Sequence, residues 1–312
     1  MKVQVSFVII LLSTFGAIAQ PCVNAAREVA PVLSAETRAD YEKKLIEAEA
    51  VHLEKPNEAD SIIWLGRRTA YLGNYKKAVW IFSSGIKLHP NDARFFRHRG
   101  HRYITLRCFD DAIKDLEKAA DITRSGQDII EPDGLPNARN IPTSTLQTNI
   151  WYHLGLAYYL KGDFNMAAAN FMGSYNLAYT ANKSDMMVAS AYWAYMCAAR
   201  YGKPQRASAD RFLKKEIKND LDIIENHDYY KLIKLNKGLL KAGVLLKEIE
   251  GDANALSSAS LGYGLGNYFY YNGDKEKAIA IFRKIVNGNQ WASFGYIAAE
   301  AELHRQRPQG EQ

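Results

Sequence analysis

Cysteine is scarce in this chain: Cys22, Cys108 and Cys197 are the only three in 312 residues, so one is left over even if two pair. No C-x-x-C and no Cys/His pair at ligand spacing occurs, so no metal site is expected. After the first twenty residues no segment reaches the roughly 20 uncharged apolar positions that a bilayer needs, so no membrane span is expected. Lys and Arg outnumber Asp and Glu by 40 to 34, yet they are never gathered into a block. Without a basic tract, nucleic acid is not an expected partner, and the mild positive balance favours acidic ones. The G-x-S-x-G, H-E-x-x-H and Walker A patterns are missing, as is G-x-G-x-x-G after a strand. Gly262-Tyr-Gly264-Leu-Gly266 is glycine-rich, but it lies in a helical pattern with no strand before it. The chain is therefore read as non-catalytic and without a cofactor.

What is present begins with an export signal. Lys2 precedes the apolar stretch Val5 to Ile18, and Ala17-Ile18-Ala19 fits an A-x-A cleavage site. That layout predicts a secretory signal peptide over 1–19, with an uncleaved anchor helix as the competing reading. The mature chain would be periplasmic or extracellular. Cys22 raises lipid attachment as a minor alternative, opposed by Pro21, because the lipoprotein peptidase cuts after a small residue. Cys197 sits in the apolar run Ala191 to Ala199 and reads as a core residue.

The strongest signal is self-similarity. Gly66 to Gly100 and Ala78 to Ala112 are each 34 residues apart. Gly66 and Ala78, Gly100 and Ala112, Gly155 and Ala167, and Gly266 and Ala278 are all separated by 12. Each copy adds an aromatic or Leu after the Ala: Phe82, Leu116, Phe171 and Phe282. The Gly lets a second helix approach the first, and the Ala is read as the small residue at the crossing. Gly73-Asn74 and Gly162-Asp163 supply the turns, and Pro90 ends a helix. One helix pair cannot bury its own apolar face, so the stack is the folding unit.

Clear repeats are expected near 59–92, 93–124, 148–181 and 259–289, within an array over 34–304. A linker over 20–33 precedes it, with Ser34 as the first N-cap. Divergent helix pairs fall between 184 and 250, with Asp228 to Glu248 reading as one helix. A cap helix over 290–304 closes the array, and 305–312 reads as a disordered tail. Between the second and third copies an insert at 124–145 carries Pro132, Pro136 and Pro142. Ile129, Ile130, Leu135 and Ile141 suggest that it packs down, and long ordered loops are often functional.

The pattern of Trp151-Tyr-His-Leu-Gly155, Tyr158, Ala167 and Phe171 resembles the tetratricopeptide-repeat (TPR) family. The second copy departs from it, with Arg99 where Leu is usual. The strings at 63–73, 97–105, 136–145 and 294–300 are similar to an exported bacterial TPR group of unknown role. The resemblance implies an all-α, right-handed superhelical solenoid of antiparallel helix pairs. It also implies that the first helix of each pair lines a concave binding face.

On that basis the groove would be basic at one end, through Arg67, Arg94, Arg97, His98 and His101. It would be aromatic further along, through Tyr152, His153, Tyr159, Tyr192, Trp193, Tyr263, Asn267 and Tyr270. Arginine suits carboxylate or phosphate, and aromatics suit an extended chain or sugar rings. The competing reading makes the cations a solvated face and the aromatics inter-repeat core. A carboxylate clamp of the Lys-Asn kind is not reproduced, because Ile63 and Arg67 stand at those places. Arg97-His-Arg-Gly-His-Arg102 is too positive to hold a metal ion. The expected function is an exported scaffold or adaptor that binds a protein or peptide, possessing an acidic segment in one version. The alternative is a module for a glycan or small anionic ligand.

Overall fold

The computed structural model describes residues 21–251 and 256–306. The signal-peptide reading of 1–19 and the end of the tail, 307–312, lie outside the described residues. Among the described residues the chain is all helical, apart from one isolated antiparallel bridge between Ile130 and Thr145. No helix there is long and apolar enough to cross a membrane.

A short α1 (Pro21–Ala25) leads to α2 (Ala35–Glu54), which Ser34 caps by accepting from the Thr37 amide. Three antiparallel pairs follow: α3 (Ala59–Tyr71) with α4 (Tyr75–Leu88), α5 (Ala93–Thr105) with α6 (Phe109–Thr123), and α7 (Leu146–Lys161) with α8 (Phe164–Thr180). Next come α9 (Ser184–Arg200), α10 (Lys203–Glu216), α11 (His227–Asn236) and α12 (Ala242–Gly251). The last pair is α13 (Leu256–Tyr271) with α14 (Lys275–Val286), and α15 (Phe294–Arg305) caps the array. The single helix expected over 228–248 is two. Gly238 at φ +78° stops α11, because a left-handed residue cannot continue a right-handed helix.

The glycines explain the pairing. A Cβ at Gly66 would stand 2.4 Å from Phe82, one at Gly100 2.7 Å from Leu116, one at Gly155 2.8 Å from Phe171, and one at Gly266 2.4 Å from Phe282. In every pair the residue that fills the notch lies 16 positions after the glycine, rather than being the alanine at 12. Burying such a side chain stabilises by about 1.5–3 kcal/mol, and all four are fully enclosed.

The turn after α5 departs from its neighbours. Gly73, Gly162 and Gly273 turn their chains at positive φ, and Arg107 does so at φ +64°. A side chain in that region costs about 1 kcal/mol or more. Arg107 reaches across the molecule in return: Nε donates to Glu300 at 2.7 Å and Nη2 to the Trp291 carbonyl at 3.1 Å. Its guanidinium lies 3.9 Å over the Trp291 ring. Arg305 donates to the Leu160 carbonyl at 3.0 Å. These contacts fold α15 back onto α7 and onto the turn after α5, so the two ends of the array meet. Of the tail expected over 305–312, Arg305 is helical and bonded.

The linker expected over 20–33 is also held. Cys22 is disulfide-bonded to Cys108, 86 residues away, and Glu28 accepts from the Lys76 amide at 2.7 Å. With its sulfur in that bond, Cys22 is not free to carry a thioether lipid. Cys197 is buried and free, as a core residue would be.

Candidate functional site

The basic helix faces converge on one cavity. Arg67 of α3 follows Trp64 by three residues, and its guanidinium rests 4.4 Å over that indole. Arg97 and His98 of α5 stand one repeat further, where the 34-residue period brings them beside α3. His98 stacks on Phe82 at 5.5 Å, so the ring that fills the Gly66 notch also seats this histidine. Arg102, one turn along α5, completes the basic lining. The cavity measures about 220 Å³ and is bounded by Arg67, Arg97, His98, His101, Arg102 and the insert at Glu131 to Gly134.

The insert supplies an acid. Glu131 is 5% exposed and lies 3.1 Å from Arg97 Nε and 3.2 Å from His98 Nε2. Asn149 Nδ2 donates to Glu131 at 2.9 Å. The loop is fastened where Arg68 donates to the Gly134 carbonyl at 2.7 Å, and where Thr145 and Thr148 form the capping box of α7. Ile129, Ile130, Leu135 and Ile141 do not pack it down, since all four are exposed. Its buried contacts are polar instead, through Glu131, Gly134, Ser144 and Thr145.

The ion pair of the cavity, among the described residues, is that of Glu131 with Arg97, and the neutral His98 lies beside the same carboxylate. Arg67, 9% exposed, and Arg102 have aromatic contacts and no carboxylate partner there. Burial, with Arg97 and Arg67 nearby, pulls Arg102 down to about 10, which still leaves it cationic at neutral pH. The histidines do not add charge. Burial first, and the neighbouring arginines second, hold His98, His101 and His153 well below their ordinary value. His98 thus offers Nδ1 as the acceptor for Arg97 Nη1 at 2.9 Å.

The other expected groove residues are placed differently. Arg94 points away from the cavity into Asp92 and Asp60, both at 2.6 Å. His101 packs between His153 at 4.5 Å and Phe294 of α15 at 5.2 Å. His153 donates to the Asn149 carbonyl at 2.6 Å. Tyr152 is buried, with its hydroxyl 3.4 Å from that of Tyr229. Tyr159, Tyr192, Trp193, Tyr263 and Asn267 are core residues with at most 1% exposure, so no ligand reaches them. Closure by α13 and α15 is the reason. The Tyr263 hydroxyl lies 2.8 Å from that of Tyr159 and 3.1 Å from the buried Glu302 of α15, while Arg200 donates to the same carboxylate at 2.7 Å. Tyr270 is half-buried under Arg200 at 4.7 Å.

Sequence reasoning passed over Arg102, Glu131, Gly134 and Asn149 as site residues. Arg102 had a usable signal, lying four residues after His98 on the same helix face. Nothing in the sequence shows where the insert's acid lands.

Residues 148–180 match the family model for the tetratricopeptide repeat. No curated protein sequence matches the chain. Among solved structures it is similar to a tetratricopeptide repeat protein from Parabacteroides merdae, at 12% identity and TM-score 0.47, over 86% of this chain and 94% of that one. It is also similar to YrrB, described as a TPR protein with an unusual peptide-binding site, at 14% identity and TM-score 0.43, over 82% of this chain and 97% of that one. BtubC from P. vanneervenii shows 12% identity and TM-score 0.45, over 88% of this chain and 95% of that one. The matched stretch spans nearly all of α7 and α8, so this helix pair is a tetratricopeptide repeat, set in described residues that are otherwise helical.

Proposed function

We propose that this protein is an exported, non-catalytic scaffold that engages a protein or peptide partner by receiving an acidic group of it in the arginine cavity. The observation that carries the reading is the pair Arg67 and Arg102, which face about 220 Å³ of space without a carboxylate partner among the described residues. Uncompensated buried charge destabilises a fold, so its persistence points to a ligand that completes it. A disulfide joining Cys22 to Cys108 accords with an oxidising compartment. The burial of Tyr159, Tyr192, Trp193 and Tyr263 removes the aromatic groove on which a glycan-binding reading stood.

Affinity purification from cell-envelope extract, followed by mass spectrometry, tests the reading. The parent should retain a partner that a folded Arg67→Gln/Arg102→Gln variant releases, and retention should weaken with salt. Identical partner sets for both proteins would overturn it. N-terminal sequencing of the mature protein tests export. Gln20 should be the first residue, and a retained Met1 would count against it.

A further inference from the structure

We propose that the arginine cavity is built for a phosphate monoester, its phosphoryl group held between Arg67 of α3 and Arg102 of α5 while Glu131 remains on Arg97. This rests on the preceding reading and names the chemical class of the acidic group.

Charge is the first argument. Three guanidinium groups line the cavity, from Arg67, Arg97 and Arg102. Glu131 answers one of them and is committed to Arg97, His98 and Asn149. Asp133 is the other acid in the lining. Burial, then the nearby Glu225, raise its carboxyl above the ordinary range, and it forms no ion pair with Arg67, Arg97 or Arg102. The histidines are neutral. Two guanidinium groups, those of Arg67 and Arg102, are thus left without an ion-paired carboxylate among the described residues. A carboxylate ligand answers one, whereas a phosphomonoester carries about −1.5 to −2 at pH 7.

Donor geometry is the second. Arginine presents a planar fork that matches phosphate oxygens two at a time, and here two such forks approach from adjacent helices. Arg97 also keeps a donor in reserve, because its Nε makes no aligned hydrogen bond.

Shape is the third. The insert's backbone roofs the cavity at Gly134, where a Cβ would stand 2.6 Å from Arg67 Nη2 and 1.5 Å from the Tyr71 hydroxyl. A glycine at this point is what keeps the space beside Arg67 open. His101 and Asn149 are shared with a neighbouring cavity of about 380 Å³ that Tyr152, Tyr229 and Phe294 line. The carbon part of an ester has that direction in which to leave.

The phosphoryl group has two possible bearers, a phosphorylated side chain of the partner and a small-molecule ester. Calorimetric titration of the full chain separates them, using inorganic phosphate, acetate, a phosphoserine tripeptide and glycerol 3-phosphate. Phosphate is expected to bind at least tenfold tighter than acetate, and the tighter of the two esters names the bearer. Arg67→Gln and Arg102→Gln, each confirmed as folded by circular dichroism, should each weaken phosphate at least tenfold. Glu131→Gln, which removes a competing negative charge, should tighten it. No heat from phosphate or either ester with the folded parent would overturn the proposal, as would unchanged affinity in both arginine variants. Acetate binding as tightly as phosphate would overturn the phosphoryl class and leave the acidic-group reading standing. If partner capture also survives the double arginine variant, that reading falls too.

Discussion

Replacing Gly66 by Ala tests how the helix pairs are held. The new Cβ would stand 2.4 Å from Phe82 Cε1, against the 3.5–4.0 Å of an ordinary carbon contact. Phe82 is 1% exposed and stacked on His98, so the ring has nowhere to withdraw without moving the histidine that faces Glu131. Overpacking of this kind costs about 1–3 kcal/mol. Removing a helix-interior glycine returns roughly 0.5–1 kcal/mol. The net loss should be up to about 2.5 kcal/mol, or a melting temperature lower by up to about 10 °C. Gly155→Ala, with 2.8 Å available, should lose less, and Gly155→Leu should lose more than about 2 kcal/mol. Gly126→Ala, whose Cβ meets nothing nearer than 3.7 Å, serves as the control. Thermal melts monitored by circular dichroism give the order, and hydrogen exchange should rise first in α3 to α5. A Gly66→Ala protein that melts above the parent would refute the notch argument.

Two further outcomes follow from chain closure and from the buried histidines. Reducing Cys22–Cys108 opens a crosslink across 86 residues, worth at most about 4–5 kcal/mol by the chain-entropy model. Melting should therefore fall with dithiothreitol in the parent and not in Cys22→Ser, and an unaffected parent would contradict the crosslink. His98, His101 and His153 stay neutral in the fold because burial, and then nearby arginines, disfavour the imidazolium. The unfolded chain takes up those protons below about pH 6.5, so stability should fall from pH 7 to pH 5 and recover on return. Each histidine contributes up to about 1.4 kcal/mol per pH unit, and His153→Gln should flatten the slope. A melting temperature that rises toward pH 5 would refute it.

The repeat architecture was legible because its signal is periodic and local. Gly66, Gly100, Gly155 and Gly266 recur for a steric reason that any one copy reveals. The site was legible only in part. Arg67 and His101 could be aligned from the 34-residue period, with Arg97 one turn before His101 on the same helix, since neighbouring repeats place equivalent positions side by side. Arg94 could not be assigned, because its pairing with Asp60 and Asp92 depends on which way one side chain turns. The aromatic half failed for a larger reason. An open groove was expected, and closure depends on contacts nearly 200 residues apart, such as Arg107 with Glu300. No spacing rule reports such a contact. The same closure turned Tyr263 and Asn267 from expected ligand contacts into core. The insert resisted reading because its packing rests on one buried carboxylate, Glu131, while the hydrophobic residues that drew attention are exposed.

The central claim is that Arg102 stands in the cavity for a ligand and not for the fold. Arg102→Met keeps the length and the apolar stem of the side chain and removes a partly buried charge that has no carboxylate partner among the described residues. Replacing buried charges by apolar residues of like size is often neutral or stabilising by about 1–4 kcal/mol. The thermal melt of Arg102→Met beside the parent, without added ligand, is the direct measurement. A melting temperature equal to or above that of the parent is the predicted result. A fall of several degrees would show that Arg102 holds the structure together, and would contradict the account.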